Sequence, residues 1–257
     1  MKAASTLLEI QSLDLAYSAR FFKQTSIKDT FISAFKSPLA FLVNKEKTRP
    51  VLKNLNFKVD RGDRVALVGI NGSGKTSLCR CIAGTLKPNN GIIKQNCSAR
   101  VIMQTDCFFF PELTGEENAY ILAEFLYQDF PATKRKEIVE ESLDFSGLGN
   151  FRHSPVETYS MGMKSRLSLS LATAHPQELL VLDEVYTHAD EFFQQKIRER
   201  FKNQIKSSGA VIIVSHYEKD LMELCNRGVV LQDGEIKYDG SVETALRAYR
   251  LMNGSFS

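Results

Sequence analysis

The stretch Gly69-Ile70-Asn71-Gly72-Ser73-Gly74-Lys75-Thr76 decides the fold of this chain, because it has the complete form G-x-x-x-x-G-K-[ST] of a phosphate-binding loop. The run before it, 64–68, is apolar enough to predict a buried strand, and the run after it, 77–83, predicts the start of a helix. Its glycines allow backbone conformations that a Cβ would forbid, so that successive N–H groups can reach phosphate oxygens. A nucleoside triphosphate is the predicted ligand.

Two side chains at the end of the loop have predicted chemical roles. Lys75 can reach the β- and γ-phosphates, and the Thr76 hydroxyl can ligate Mg²⁺. The following helix adds unpaired N–H groups and the positive end of its dipole. The alternative, a glycine-rich turn with a lysine by chance, is disfavoured by the flanking strand and helix. The predicted ATP-binding residues of the loop are Gly69, Asn71, Gly72, Ser73, Gly74, Lys75, Thr76 and Ser77.

Composition indicates an ordinary soluble globular protein. The 257 residues are 43% hydrophobic and 25% charged, and a net charge of +3 is too small to indicate nucleic acid as a partner. The cysteines at 79, 81, 97, 107 and 225 are odd in number and scattered, so we expect reduced thiols in the cytosol, with neither a metal site nor a disulfide framework. Cys79 and Cys81 are expected on different faces of a helix. No apolar run approaches the roughly 18 residues of a membrane span.

The order of strand and helix patterns predicts the fold class. Alternating segments at 7–17 and 52–59 predict half-exposed strands, and apolar strands at 179–182 and 210–214 are each bounded by helical patterns. Strands that alternate with crossover helices form a parallel sheet with helices on both faces, an α/β fold. We interpret the helical stretch 115–173 as a subdomain inserted into a single domain that spans 1–257.

Segment 18–50 is basic and rich in aromatic residues. Ile27, Phe31, Ala34 and Phe35 have the spacing of an apolar stripe on a short helix. Such an amphipathic insertion indicates contact with a membrane interface or a partner's helix. The alternative is an insertion that packs on the domain's own surface.

Carboxylates and a histidine follow two of the predicted strands. Asp183 and Glu184 end the strand at 179–182, where an aspartate can hold Mg²⁺ and a glutamate can act as general base toward water. His216 follows the strand at 210–214 and can contact a transferring phosphoryl group. The predicted catalytic residues are therefore Glu184, His216 and Lys75.

A second phosphate-binding end is predicted at 159–167. Ser160 and Gly162 open a helix there, and a helix N-terminus favours anions. Since the loop already serves one ATP, this end suits a triphosphate bound by another subunit, which predicts a dimer.

Taken together, these motifs resemble the nucleotide-binding domain of ABC transporters. The resemblance implies a mainly parallel core sheet, an antiparallel β subdomain and an inserted helical subdomain, with ATP and Mg²⁺ as cofactors. It also implies individual roles, namely adenine stacking for Tyr17, magnesium and coupling contacts for Gln104, contact with the opposing γ-phosphate for Ser160 and Gly162, bridging of subunits for Asp190, the catalytic base for Glu184 and a switch for His216. The metal-binding set is Thr76, Gln104 and Asp183.

A narrower set of features is similar to ATP-binding subunits of bacterial polysaccharide exporters. These features are the run 155–163, the run 111–118 and the insertion between Tyr17 and Val51. The similarity implies a homodimer on the cytoplasmic side of the inner membrane that powers export of a lipid-linked glycan through a separate membrane permease. An importer or other lipid exporter, a non-transport ABC ATPase and a regulatory nucleotide-binding module are the alternatives. Met161 departs from the small residue that is usual in the family's signature.

The role implied for Glu184 is testable by one substitution. We expect Glu184→Gln to bind ATP and dimerise but to hydrolyse ATP far more slowly, because the amide cannot accept a proton from the attacking water. Steady-state phosphate release by the purified variant measures this. A rate equal to that of the wild type would refute the assignment of the base.

Overall fold

The apolar runs of the sequence become the strands of two sheets in a computed structural model, which describes residues 6–18, 48–103, 109–183, 191–215, 217–252 and 254. The larger sheet has six strands in the order β5-β6-β7-β3-β8-β9. Its first five strands pair in parallel, and β9 returns antiparallel to β8 through a tight hairpin. The strands are β3 (Arg64–Val68), β5 (Ala99–Met103), β6 (Leu179–Asp183), β7 (Ala210–Val214), β8 (Arg227–Gln232) and β9 (Glu235–Gly240).

The smaller sheet is antiparallel and has the order β2-β1-β4. It consists of β1 (Thr6–Ser18), β2 (Thr48–Asp60) and β4 (Asn90–Gln95). Both long strands continue beyond the segments 7–17 and 52–59 predicted from alternation, and their register shifts at several points. Residues 19–47, which make up most of the predicted insertion 18–50, lie outside the described residues.

Seven α-helices and two short 3₁₀-helices are present in the described part of the chain. The 3₁₀-helices are Gly149–His153 and Val156–Thr158. The α-helices are α1 (Lys75–Ile82), α2 (Gly115–Leu126), α3 (Ala132–Ser146), α4 (Met161–Ala172), α5 (Glu191–Ser207), α6 (Glu218–Leu224) and α7 (Val242–Met252). None of them combines the length and the apolar character needed to cross a bilayer.

Alternate residues of each central strand enter two different apolar cores, as the pleat of a strand requires. On β3, Val65 and Leu67 pack with α1 and the antiparallel sheet. Ala66 and Val68 pack on the other face with α5 and α7. The parallel sheet is thus covered on both faces, which explains why its strands are almost continuously apolar.

Helix α1 lies between the two sheets and has no exposed apolar side. Cys79 and Cys81, expected on different faces of the helix, are consequently both buried in the same core. Burial raises the pKa of the Cys81 thiol to about 11 and that of Cys225 to about 12, so both thiols stay protonated at neutral pH.

A third apolar core joins α2, α3 and α4, the helices that follow β5 and precede β6 in the sequence. Helix α2 begins with a capping box in which Thr114 and Glu117 each accept a hydrogen bond from the other's backbone N–H. This helical region occupies the segment interpreted as an inserted subdomain. Its limits at 115–173, and the single domain over 1–257, stay predictions.

The core under the parallel sheet can be tested with two phenylalanines of opposite exposure. Phe201 on α5 is 0% exposed, whereas Phe125 on α2 is 75% exposed. Phe201→Ala should lower the free energy of unfolding by about 3–5 kcal/mol, because it removes buried apolar area and leaves a cavity. Phe125→Ala, the matched control, should change it by less than about 0.5 kcal/mol. Urea unfolding followed by circular dichroism measures both, and equal effects would contradict the described core.

Candidate nucleotide-binding site

The phosphate-binding loop connects β3 to α1 at the edge of the sheet formed by the carboxyl ends of the parallel strands. The glycines of the loop are sterically required. Gly72 and Gly74 have φ angles of 82° and 109°, in the left-handed region that favours glycine. Gly69 has an ordinary φ but no space for a side chain, since a Cβ there would lie 2.2 Å from the Leu231 carbonyl oxygen. The loop therefore packs directly against the end of β8.

Lys75 is held by the loop that it follows. The residue is 8% exposed, and its Nζ donates to the carbonyls of Gly69 at 2.6 Å and Ile70 at 3.1 Å. These bonds fix the ammonium group within the curve of the loop. Phosphate oxygens are charged acceptors and bind an ammonium group more strongly than neutral carbonyls do.

Asp183 lies at the same edge of the sheet. It is the last residue of β6, is 5% exposed, and pairs in register with Val214 at the end of β7. Strand β7 in turn separates β6 from β3, whose end leads into the loop. Burial is the main cause that raises the pKa of the Cys79 thiol. The Asp183 carboxylate raises this pKa further, while Lys75 lowers it. The charges of Asp183 and Lys75 therefore both act on Cys79, a residue of α1.

A cavity of about 400 Å³ opens beside the loop. It contains Tyr17, whose hydroxyl lies 3.1 Å from the Ser77 hydroxyl, so the end of β1 meets the start of α1. An aromatic ring beside a phosphate-binding loop is the arrangement needed to stack a base while the phosphates bind the loop. Among the predicted residues, the cavity is lined by Tyr17, Asn71, Gly72, Gly74, Lys75, Thr76 and Ser77.

Sequence reasoning missed the rest of the cavity wall. Arg49, Val51 and Lys53 at the start of β2 line it, together with the β8–β9 turn at Asp233 and Gly234. The turn is joined to β2 by a hydrogen bond from the Lys53 N–H to the Gly234 carbonyl at 2.9 Å. The Asp-Gly pair predicts a hairpin turn, but its position against β2 depends on the tertiary fold.

The predicted second phosphate-binding end lies elsewhere on the chain. Ser160 is the exposed N-cap of α4, and its hydroxyl accepts the Met163 N–H at 3.2 Å. Met161 beside it is 68% exposed. Neither Ser160 nor Gly162 is among the described residues that line the cavity. Among the described residues, the cavity wall is formed by β1, β2, the phosphate-binding loop with the start of α1, and the β8–β9 turn.

Four predicted residues, Gln104, Glu184, Asp190 and His216, lie outside the described residues. The strands β5, β6 and β7, which precede three of them in the sequence, end at the edge of the sheet that carries the loop. Asp190 directly precedes α5. Their roles stay predictions.

Comparison with known proteins identifies the family. The ABC transporter family matches residues 52–187, which include the phosphate-binding loop, the exposed start of α4 and Asp183. The chain belongs to the ABC transporter family. The resemblance seen in the sequence is thereby confirmed.

Relatives of this ABC domain match it over most of their length. The O-antigen export system ATP-binding protein RfbB of Klebsiella pneumoniae is 30% identical over 229 residues, 88% of this chain and 90% of the relative. The teichoic acids export ATP-binding protein TagH of Staphylococcus epidermidis is 30% identical over 252 residues, 98% of this chain and 91% of the relative.

Solved structures share the fold of the ABC domain. An ATP-binding subunit of an ABC transporter is similar with a TM-score of 0.70 at 24% identity, covering 95% of this chain and 94% of its own. The dimeric ATP-binding cassette MJ0796, bound to ADP and phosphate, has a TM-score of 0.68 at 19% identity. The match covers 91% of this chain and 98% of the MJ0796 chain. The predicted α/β fold, with parallel and antiparallel sheets and a helical region, is confirmed.

The close packing of the loop predicts the effect of one methyl group. Gly69→Ala should weaken ATP binding by about tenfold or more, because the Leu231 backbone cannot move aside and the loop must shift from its phosphate geometry. The control is Gly62→Ala, where φ is +98° but nothing lies within 4 Å of the added Cβ. Titration with a fluorescent ATP analogue gives both Kd values. Unchanged binding by Gly69→Ala would contradict the described loop packing.

Proposed function

We propose that this chain is the ATP-hydrolysing subunit of a bacterial exporter of surface polysaccharide and that it acts with a separate membrane permease. The observation that carries the proposal is its similarity to O-antigen and teichoic acid export ATP-binding proteins over 88% and 98% of its length. The cavity beside the loop supports the proposal, because Tyr17, Lys75 and Thr76 line it together. The names of these relatives favour export over import or a non-transport role.

The phosphate-binding end of the cavity supports ATP as the substrate. The backbone N–H groups of the loop and Lys75 bind the β- and γ-phosphates and stabilise the charge that develops as the terminal phosphoryl group leaves. Tyr17 supports the base at the other end of the cavity. Glu184, as the predicted base, orients water in line with the leaving ADP, and His216 contacts the γ-phosphate.

Magnesium fits the oxygen donors at this edge of the sheet. Mg²⁺ prefers oxygen ligands, and the Thr76 hydroxyl and the buried Asp183 carboxylate are of that kind. Thr76 and Asp183, with Gln104 as a further predicted ligand, would hold the ion. When bound, it neutralises negative charge on the β- and γ-phosphate oxygens.

The exposed start of α4 supports a head-to-tail homodimer. Ser160 and Gly162 are not among the described residues that line the cavity of their own chain, and Met161 presents an apolar side chain to solvent. In the dimer, this end of α4 meets the γ-phosphate held by the partner's loop. Two ATP molecules are then enclosed between two subunits, and closure moves the permease.

The proposed location is the cytoplasmic face of the bacterial inner membrane, where ATP is available. The basic and aromatic segment 18–50 is proposed to contact the permease or the bilayer. The proposed cargo is a lipid-linked glycan.

Gene disruption with complementation tests the export function. Loss of this chain, or separately of the proposed permease, should abolish surface glycan and cause lipid-linked precursor to accumulate inside the cell. The wild-type gene and Lys58→Ala, a control at a lysine whose side chain is 54% exposed, should restore export. Lys75→Ala should not, because it removes the ammonium group that binds the phosphates.

Immunoblotting of surface glycan and extraction of lipid-linked intermediates measure these outcomes. Normal surface glycan in the disrupted strain would refute the proposed cargo. Steady-state ATP hydrolysis by the purified chain is measured separately. Sustained hydrolysis would exclude a purely regulatory nucleotide-binding module.

A further inference from the structure

The C-terminal end of α4 is held by side chains from three other elements. We call this set, Arg100 on β5, Tyr127 after α2, and Arg200 and Gln204 on α5, the α4 anchor. Each member donates to one of the last carbonyls of α4 or to its C-cap residue, Thr173. The opposite end of the same helix is the exposed Ser160.

The strongest contacts converge on two carbonyls. The Leu171 carbonyl accepts the Tyr127 hydroxyl at 2.6 Å. The Thr173 carbonyl accepts Arg200 Nε at 3.0 Å and Gln204 Nε2 at 2.7 Å. Arg100 adds a longer bond of 3.5 Å to the Ala172 carbonyl and also donates to the Leu126 carbonyl at the end of α2.

These donors are themselves fixed. Arg100 is 7% exposed, and its guanidinium carbon lies 4.2 Å from the centre of the Tyr127 ring. The Arg200 guanidinium lies 4.1 Å from the Phe145 ring and pairs with Glu141 at 2.6 Å. Gln204 is 7% exposed. A buried guanidinium that stacks on a ring and donates to carbonyls has little freedom to move.

Helix chemistry explains why such donors gather at this end. The last carbonyls of a helix lack partners within the helix and carry the negative end of its dipole. Cationic and amide donors satisfy both requirements. A hydrophobic contact would have covered the end without fixing its direction.

The anchor matters because a change in the direction of α4 at its C-terminus is largest at the other end of the helix, at Ser160. Twelve residues at 1.5 Å per residue give a length of about 18 Å, so a tilt of about 10° at the anchored end moves Ser160 by about 3 Å. Phosphate positioning tolerates far less, since a displacement of about 1 Å can cost a hundredfold in rate. The direction of α4 therefore decides whether Ser160 reaches its target.

The anchor also joins α4 to segments next to predicted site residues. Arg100 lies on β5, four positions before Gln104 in the sequence, and α5, which carries Arg200 and Gln204, begins directly after Asp190. The strand and helix that hold α4 are thus those that flank two residues expected to contact nucleotide and partner.

We propose that Arg200 and Gln204 are positioning residues, which aim the N-terminus of α4 at the nucleotide held by the partner subunit. The inference rests on the proposed ATP-hydrolysing dimer. Neither Arg200 nor Gln204 is expected to contact the nucleotide itself. Their loss should lower turnover while nucleotide binding to the chain's own loop is preserved.

Two variants with a matched control test the proposal. Gln204→Met keeps the length of the side chain and removes its donor, and Arg200→Met removes both charge and donor. Lys202→Met on the same helix, where the side chain is 40% exposed, is the control. Arg200→Lys keeps a charged donor and should restore part of the loss. Gln204→Met guards against misfolding, because it removes no charge.

Kinetics and geometry are measured separately. For Gln204→Met and Arg200→Met we expect a kcat lower by about tenfold and an ATP-analogue Kd within about twofold of the wild type. Lys202→Met should match the wild type in both. Pulsed electron spin resonance then gives the distance distribution between labels at Met161→Cys and Glu243→Cys, in a chain whose Cys97 and Cys107 are replaced by serine. We expect it to be broader in both anchor variants.

The outcomes separate the anchor from the proposed function. An unchanged distance distribution in both anchor variants, or a kcat that falls only in proportion to the fraction of unfolded protein, would overturn the anchor. A wild-type chain without ATP hydrolysis would overturn the proposed function. The distance distributions, recorded without nucleotide, would then still decide whether the anchor fixes α4.

Discussion

The nucleotide site depends on the close approach of Gly69 to the Leu231 carbonyl, where no Cβ can fit. This contact presses the phosphate-binding loop against the end of β8 and so fixes the direction in which α1 leaves β3. Lys75 then turns back to the carbonyls of Gly69 and Ile70. A loop with this much backbone contact is preorganised, and its N–H groups need little rearrangement to bind phosphate.

The two sheets make this geometry rigid. Helix α1 is buried between them, so the residues after Thr76 cannot shift without disturbing both β1–β2 and the parallel sheet. The same arrangement brings Tyr17 to the cavity, since β1 ends beside the first turn of α1. The antiparallel sheet therefore contributes Tyr17 to the cavity, while the phosphate-binding loop follows a strand of the parallel sheet.

Helix α4 divides its two ends between two tasks. Its N-cap residue Ser160 is exposed, whereas its C-terminus is held by donors from β5 and α5. Leu167 and Leu171 pack along the helix in the third core, so the exposed N-terminus follows the direction of the whole helix. This asymmetry suits a site that two subunits complete together.

The sequence alone determined the phosphate-binding loop, the buried strands and the Asp183 end of β6, because glycine spacing, apolar runs and strand-end carboxylates are local patterns. It also indicated that Ser160 opens a helix, since an N-cap is read from neighbouring residues. The wall formed by Arg49, Val51 and Asp233, and the convergence of Arg100 and Arg200 on α4, were decided by tertiary structure alone. Those contacts join residues from 27 to about 180 positions apart, and no local pattern specifies which distant carbonyl a buried cation will meet.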